Sequence, residues 1–182
     1  MRTSTLVTII LLAALTRLLP HPFNFTAVTA IGLFGAAYFS KEKHWAFIIP
    51  FAAMLVSDIC LEAMTGFGFY KGMWVTYLSF ALVIAFGFFA LRKVNTLNII
   101  LGSLGGSLIF FLITNFAFLY PEAPIANPAL GHYPHNFSGI IASYSAGLPF
   151  FRNAIVGDLF YSGILFGSFA LIQKFYKPLQ TA

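Results

Sequence analysis

Few side chains in this chain are able to do chemistry, and most of them sit inside apolar runs. Asp58 and Glu62 are four residues apart, so a helix places both carboxylates on one face with Thr65 near it, where they could coordinate an amide, a hydroxyl or a cation. Asp158, Tyr161 and Ser162 form a second polar face in another apolar run. Arg17 is a natural ion-pair partner for Asp158 or Asp58, and a buried pair of this kind holds helices together whether or not it touches a ligand. His21, Asn24, Lys71, Tyr77 and Arg152 fall near the ends of apolar runs, with Asn115 on the same side, placed to hydrogen-bond a polar ligand; for Tyr77 the alternative is anchoring at the membrane interface.

Other chemistry is excluded or weakly supported. There is no Gly-x-Ser-x-Gly elbow, no phosphate loop, no His-Glu-x-x-His and no ATP-binding segment. His132-x-x-His135 has a metal-like spacing but no cysteine or carboxylate to complete a site, so no metal and no cofactor are expected. Asn24-Phe25-Thr26 and Asn136-Phe137-Ser138 match the glycosylation triplet, which matters only in a secretory-pathway host. Cys60 is a lone cysteine, turned about 200° from Asp58 on a helix, and it forms no intramolecular disulfide.

The elements that hold these residues follow from composition. Of 182 residues, 59% are hydrophobic and 8% charged, and the mean hydropathy is +0.87, so a bilayer rather than water is the main solvent. A spanning helix takes roughly 20 apolar residues, which leaves room for about six and for no second domain. The predicted helices of this all-α integral membrane protein cover about 3–19, 25–40, 45–64, 73–91, 97–119 and 152–175. An outer loop spans 120–137, with four prolines in its polar stretch, and residues 138–149 are expected to form a short interfacial or re-entrant helix before the sixth span. The first run reads as an uncleaved helix rather than a signal peptide, because Arg17 and Pro20-His21-Pro22 close it without a small-residue cleavage site.

Charge then orients the chain. Arg2, Lys41, Lys43, Arg92, Lys93, Lys174 and Lys177 fall on one side of a six-span arrangement, which makes that side cytoplasmic and places both termini there. The basic residues are scattered in ones and twos at helix ends, so the net charge of +5 reads as membrane topology and not as a nucleic-acid surface. Asp58, Glu62, Glu122 and Asp158 share the outer half with Asn24, Asn115, His132 and His135. Asp58 and Asp158 lie roughly 9 Å inside their helix ends, where a carboxylate must be paired, neutral or facing water. These positions predict a polar pocket between the helices, open to the outside. Small-residue faces, Gly32, Gly35, Ala36 and Ala37 in one helix and Gly102, Ser103, Gly105, Gly106 and Ser107 in another, allow close helix packing.

Three stretches carry a family resemblance: Arg17-Leu18-Leu19-Pro20-His21-Pro22-Phe23-Asn24-Phe25-Thr26; Ser57-Asp58; and Leu148-Pro149-Phe150-Phe151-Arg152-Asn153 with Gly157-Asp158. Across most of its length the chain resembles small bacterial membrane proteins similar to the substrate-binding S components of energy-coupling-factor vitamin transporters, nearest the solitary, cobalamin-specific kind. The resemblance implies a six-helix S-component fold in the cytoplasmic membrane, a vitamin-like ligand taken from the extracytoplasmic side, and an energising module as a candidate partner. It places His21, Asp58, Tyr77 and Arg152 around the ligand. The cobalamin group often ligates cobalt through a cysteine between the third and fourth helices, and thiolate suits that metal. Here Gly66 to Met73 holds no cysteine, Cys60 lies inside the third helix, and His21 is the nitrogen alternative. The rival readings are a membrane scaffold or assembly subunit and, third, a membrane enzyme using Asp58, Glu62 and His21 as acid-base groups.

Overall fold

A computed structural model describes residues 2–129 and 131–176; Lys177, one of the basic residues used above for orientation, lies outside them. Among the described residues six α-helices follow one another: α1 (Arg2–Leu15), α2 (Val28–Tyr38), α3 (Lys43–Thr65), α4 (Met73–Ala90), α5 (Thr96–Thr114) and α6 (Phe137–Phe175). Short 3-10 turns continue α1 over Thr16–Leu18 and follow α5 over Ala117–Leu119. Among the described residues the only β pairing is two isolated bridges in the loop before α6, Glu122 with Tyr133 and Asn127 with His132. Four helices, α3 to α6, are long and apolar enough to cross a membrane, while α1 and α2, with 14 and 11 residues, are shorter.

The short α2 is the hub, packed against every other helix. Its sequence is apolar all round apart from Thr29 and the terminal Tyr38, and every residue from Val28 to Ala36 is buried, as expected of a helix without a polar face. An aromatic cluster closes one end of the bundle: Tyr38 lies 4.5 Å from Phe169 and Phe34 5.2 Å from Phe166, measured between ring centroids. Between apolar helices in lipid such close packing, rather than escape from water, supplies the cohesion. On the bundle surface, Leu12, Ile48, Phe89, Leu101 and Leu171 stay exposed, a surface compatible with lipid contact.

The expected boundaries need three adjustments. The stretch at 138–149 is not a separate re-entrant or interfacial helix, because α6 runs unbroken for 39 residues, roughly 58 Å, about twice the thickness of a bilayer core. Asn136 starts it by accepting a bond from the Gly139 amide at 2.9 Å. Gly139, Ser143 and Gly147 then repeat every four residues as a buried small-residue stripe, which keeps the helix packed through Pro149. Regular α-helix in the fifth span stops at Thr114 instead of 119, where Asn115 folds its side-chain amide back onto the Phe111 carbonyl at 2.9 Å. The second helix begins three residues late, after Asn24 takes a left-handed φ of 61°, a conformation asparagine tolerates better than most residues, and turns the chain.

Candidate functional site

Two polar groups and a cavity are built into the bundle interior. The first joins α1 to α3. Arg17, carried by the 3-10 turn after α1, pairs with Asp58 at 2.6 Å and also donates to the Ser57 hydroxyl. Tyr77 of α4 donates to the other carboxylate oxygen of Asp58 at 2.6 Å. Both oxygens of Asp58 are therefore taken, and its side chain is only 4% exposed. Of the two partners expected for Arg17 it is Asp58, not Asp158, that forms the ion pair, because the turn after Leu15 sets Arg17 over the outer part of α3.

The second group is centred on Asp158 in the middle of α6. It accepts from the Ser107 hydroxyl of α5 at 2.5 Å and is hydrogen-bonded by Thr29 of α2. What brings three helices this close is Gly106: a Cβ there would meet the Thr29 methyl at 2.6 Å, so only glycine lets α5 and α2 approach. One turn further along, Ser103 donates to Ser162 at 2.8 Å, adding a second polar rung between α5 and α6.

The third feature is space. A chamber of about 350 Å³ is lined by Arg17, Asn24, Thr26, Thr29, Ser107, Thr114, Asn115 and Asp158 together with Phe110, Phe111, Phe150 and Phe151. It continues into an outer chamber of about 1040 Å³, bounded by Lys71, Trp74, His132 and Tyr133 and roofed by the loop from Pro121 to Tyr133. Tyr70, Thr114, Asn115, Tyr120, Gly147 and Phe150 line both and form the neck. At this neck a Cβ on Gly147 would collide with Asn115 Oδ1. Tyr120 donates to the Thr114 carbonyl at 2.7 Å, and burial pushes its hydroxyl up to about 12, so it stays a neutral donor.

The roof is a folded segment. Asn127 and His132 exchange backbone bonds at 2.7 and 3.2 Å, and the His135 ring bonds the Tyr120 carbonyl at 3.0 Å while stacking on Phe118. His135 is thereby committed to the loop, and among the described residues no group of three or more metal-ligating side chains exists.

Of the positions expected around a ligand, Asn24, Asn115 and Asp158 line the inner chamber, with Arg17, and Lys71 lines the outer one. The others are elsewhere. Asp58 and Tyr77 are spent on each other and on Arg17, and they line neither chamber. Glu62 accepts the amides of Gly68 and Phe69 at 2.9 and 3.1 Å, clasping the turn between α3 and α4. His21 is exposed and faces the Pro22 carbonyl at 2.8 Å, and Arg152 is exposed on α6; neither reaches the chambers. Cys60 is half-buried and also outside them, so neither candidate cobalt ligand faces this space. Thr29, Ser107 and the phenylalanines at 110, 111, 150 and 151 were not expected. Thr29 carried a signal, as the one aliphatic hydroxyl in an otherwise apolar helix.

Residues 1–179 match the model of a family of unknown function, DUF6580, and the chain belongs to that family. No curated protein and no solved structure matches it.

Proposed function

We propose that this chain is a substrate-binding membrane transport protein that takes a vitamin-like small molecule from the extracytoplasmic side. The observation that carries this reading is the two-chamber cavity with a polar, aromatic-lined floor deep in a bundle whose other polar groups are already paired. Catalysis is not needed to explain it, whereas binding is: concave, mostly apolar spaces with a few converging polar groups are how small ligands are held.

Two further observations support it. Arg2, Lys41, Lys43, Arg92, Lys93 and Lys174 gather at the end of the bundle opposite the chambers, so the positive-inside rule turns the cavity outward in a cytoplasmic membrane crossed six times. Two of the three stretches that resemble S components also meet at the inner chamber, while Ser57-Asp58 lies outside it. Arg17 and Asn24 come from the first, Phe150 and Phe151 from the third, and Asp158 follows it; all five line the inner chamber. An energising module would be the natural cytoplasmic partner.

Calorimetry of the protein in nanodiscs against a panel of vitamins, cobalamin and cobinamide included, tests the reading. Saturable binding of one compound is the expected result. A second reading, a scaffold subunit, is favoured by one feature: Gly163 and Gly167 lie on an open face of α6, where an added Cβ would meet nothing within 4 Å, beside a groove of about 510 Å³. A protein that binds no compound of the panel and co-purifies with another membrane subunit would favour that reading instead.

A further inference from the structure

Charge balance in the inner chamber points to the class of molecule it takes. Besides the tyrosines Tyr70 and Tyr120, two side chains able to carry charge near neutral pH line it, Arg17 and Asp158. The charge of Arg17 is already neutralised by Asp58 at 2.6 Å, and the remaining hydrogen-bonding capacity of that carboxylate is taken by Tyr77. Asp158 differs. It is only 4% exposed, its partners Ser107 and Thr29 are neutral hydroxyls, and no cationic group of the protein lies within 4 Å among the described residues. A carboxylate at this depth is costly unless a cation or a proton neutralises it.

The walls add a second, independent observation. Phe110, Phe111, Phe150 and Phe151 line the chamber; Phe111 and Phe151 stack on each other at 4.3 Å, which leaves each one free face, and Tyr70 and Tyr120 at the neck bring two more rings. Aromatic faces attract organic cations through the ring quadrupole, most strongly where water is excluded, and they reject anions. A carboxylate floor with aromatic walls is the arrangement that recognises a protonated or quaternary amine. Lys71 and His132, the ionisable groups on the outer chamber, sit beyond the neck, so they do not compensate Asp158.

We infer that the inner chamber binds an organic cation, an amine with an apolar or aromatic body, whose positive charge is neutralised by Asp158 while Phe110, Phe111, Phe150 and Phe151 enclose it. This rests on the substrate-binding reading above and specifies its ligand. Nothing in it requires a covalent step.

Three probes of matched size and different charge test it: phenethylamine, phenethyl alcohol and 3-phenylpropionate, each titrated against the protein in nanodiscs with thermal stabilisation as the readout. The expected result is stabilisation by the amine alone, with Asp158→Asn weakening its apparent affinity by about 30-fold or more, since the variant removes one partner of a buried charge pair. Asn keeps the acceptor that Ser107 and Thr29 need, so the variant should fold. Should it not, the comparison of the three probes on the unaltered protein still decides. Equal response to all three, or a response to the anion or the alcohol alone, overturns the inference, for Asp158 is then carried as a neutral acid; the substrate-binding reading survives that outcome. No response to any probe overturns the inference, and the substrate-binding reading falls with it only when the protein also retains no small molecule and binds no compound of the vitamin panel.

Discussion

Asp58 and Asp158 are the same group on two apolar helices, and their neighbours give them different work. Asp58 is saturated by Arg17 and Tyr77 and ties α1, α3 and α4 together. Its removal leaves a guanidinium that is only 16% exposed without its counter-charge. Asp58→Ala should therefore cost about 3–5 kcal/mol of stability, read as a fall in the thermal midpoint in detergent, whereas Arg17→Leu combined with Asp58→Leu should recover most of that loss. Affinity of the folded fraction for an organic cation should also fall, because Arg17, which lines the inner chamber, is left without its counter-charge. The sequence makes both aspartates visible as costly groups, because a carboxylate in an apolar run stands out. It does not reveal which one Arg17 would choose, since that depends on the 3-10 turn that re-aims Arg17 after Leu15.

At the scale of elements, α6 and the end of α5 shape the cavity. The sequence marks 138–149 as apolar and small but too short to span, and a separate helix is the natural reading of that length. The chain instead continues the helix through Pro149, where Ser143 and Gly147 let it pack against the end of α5 and Gly139 fits against the Pro134 carbonyl. Helix positions with strong apolar runs, 45–64 and 73–91, agree closely with α3 and α4, since twenty apolar residues between charged turns leave few alternatives. Gly147 is where this packing meets function. Gly147→Ala pushes on Asn115 Oδ1 and should cost about 1–3 kcal/mol, a loss partly relieved by adding Asn115→Ala, as a double-mutant thermal series would show. Gly147→Phe fills the neck and should abolish binding in the inner chamber.

The whole molecule is organised by an asymmetry of charge. Six of the nine described basic residues collect at one end of the bundle, with Arg17, Lys71 and Arg152 the exceptions, and the cavity, the loop roof and the buried polar groups lie toward the other. This much is legible from the sequence, because the positive-inside rule needs only the order of helices and charges. The chambers themselves are not, since their aromatic walls come from α5 and α6 at positions where phenylalanine would equally well face lipid. With Cys60 replaced by serine, single cysteines at Lys71 and Lys93 report the orientation. An impermeant maleimide should label position 71 in intact cells and position 93 only after the membrane is opened.

Native mass spectrometry of the detergent-purified protein tests the central claim, a small molecule held inside the bundle. The unaltered protein should carry a discrete small-molecule mass, or acquire one from the vitamin panel, and Gly147→Phe should carry none. An unaltered protein that remains bare through both steps would contradict it.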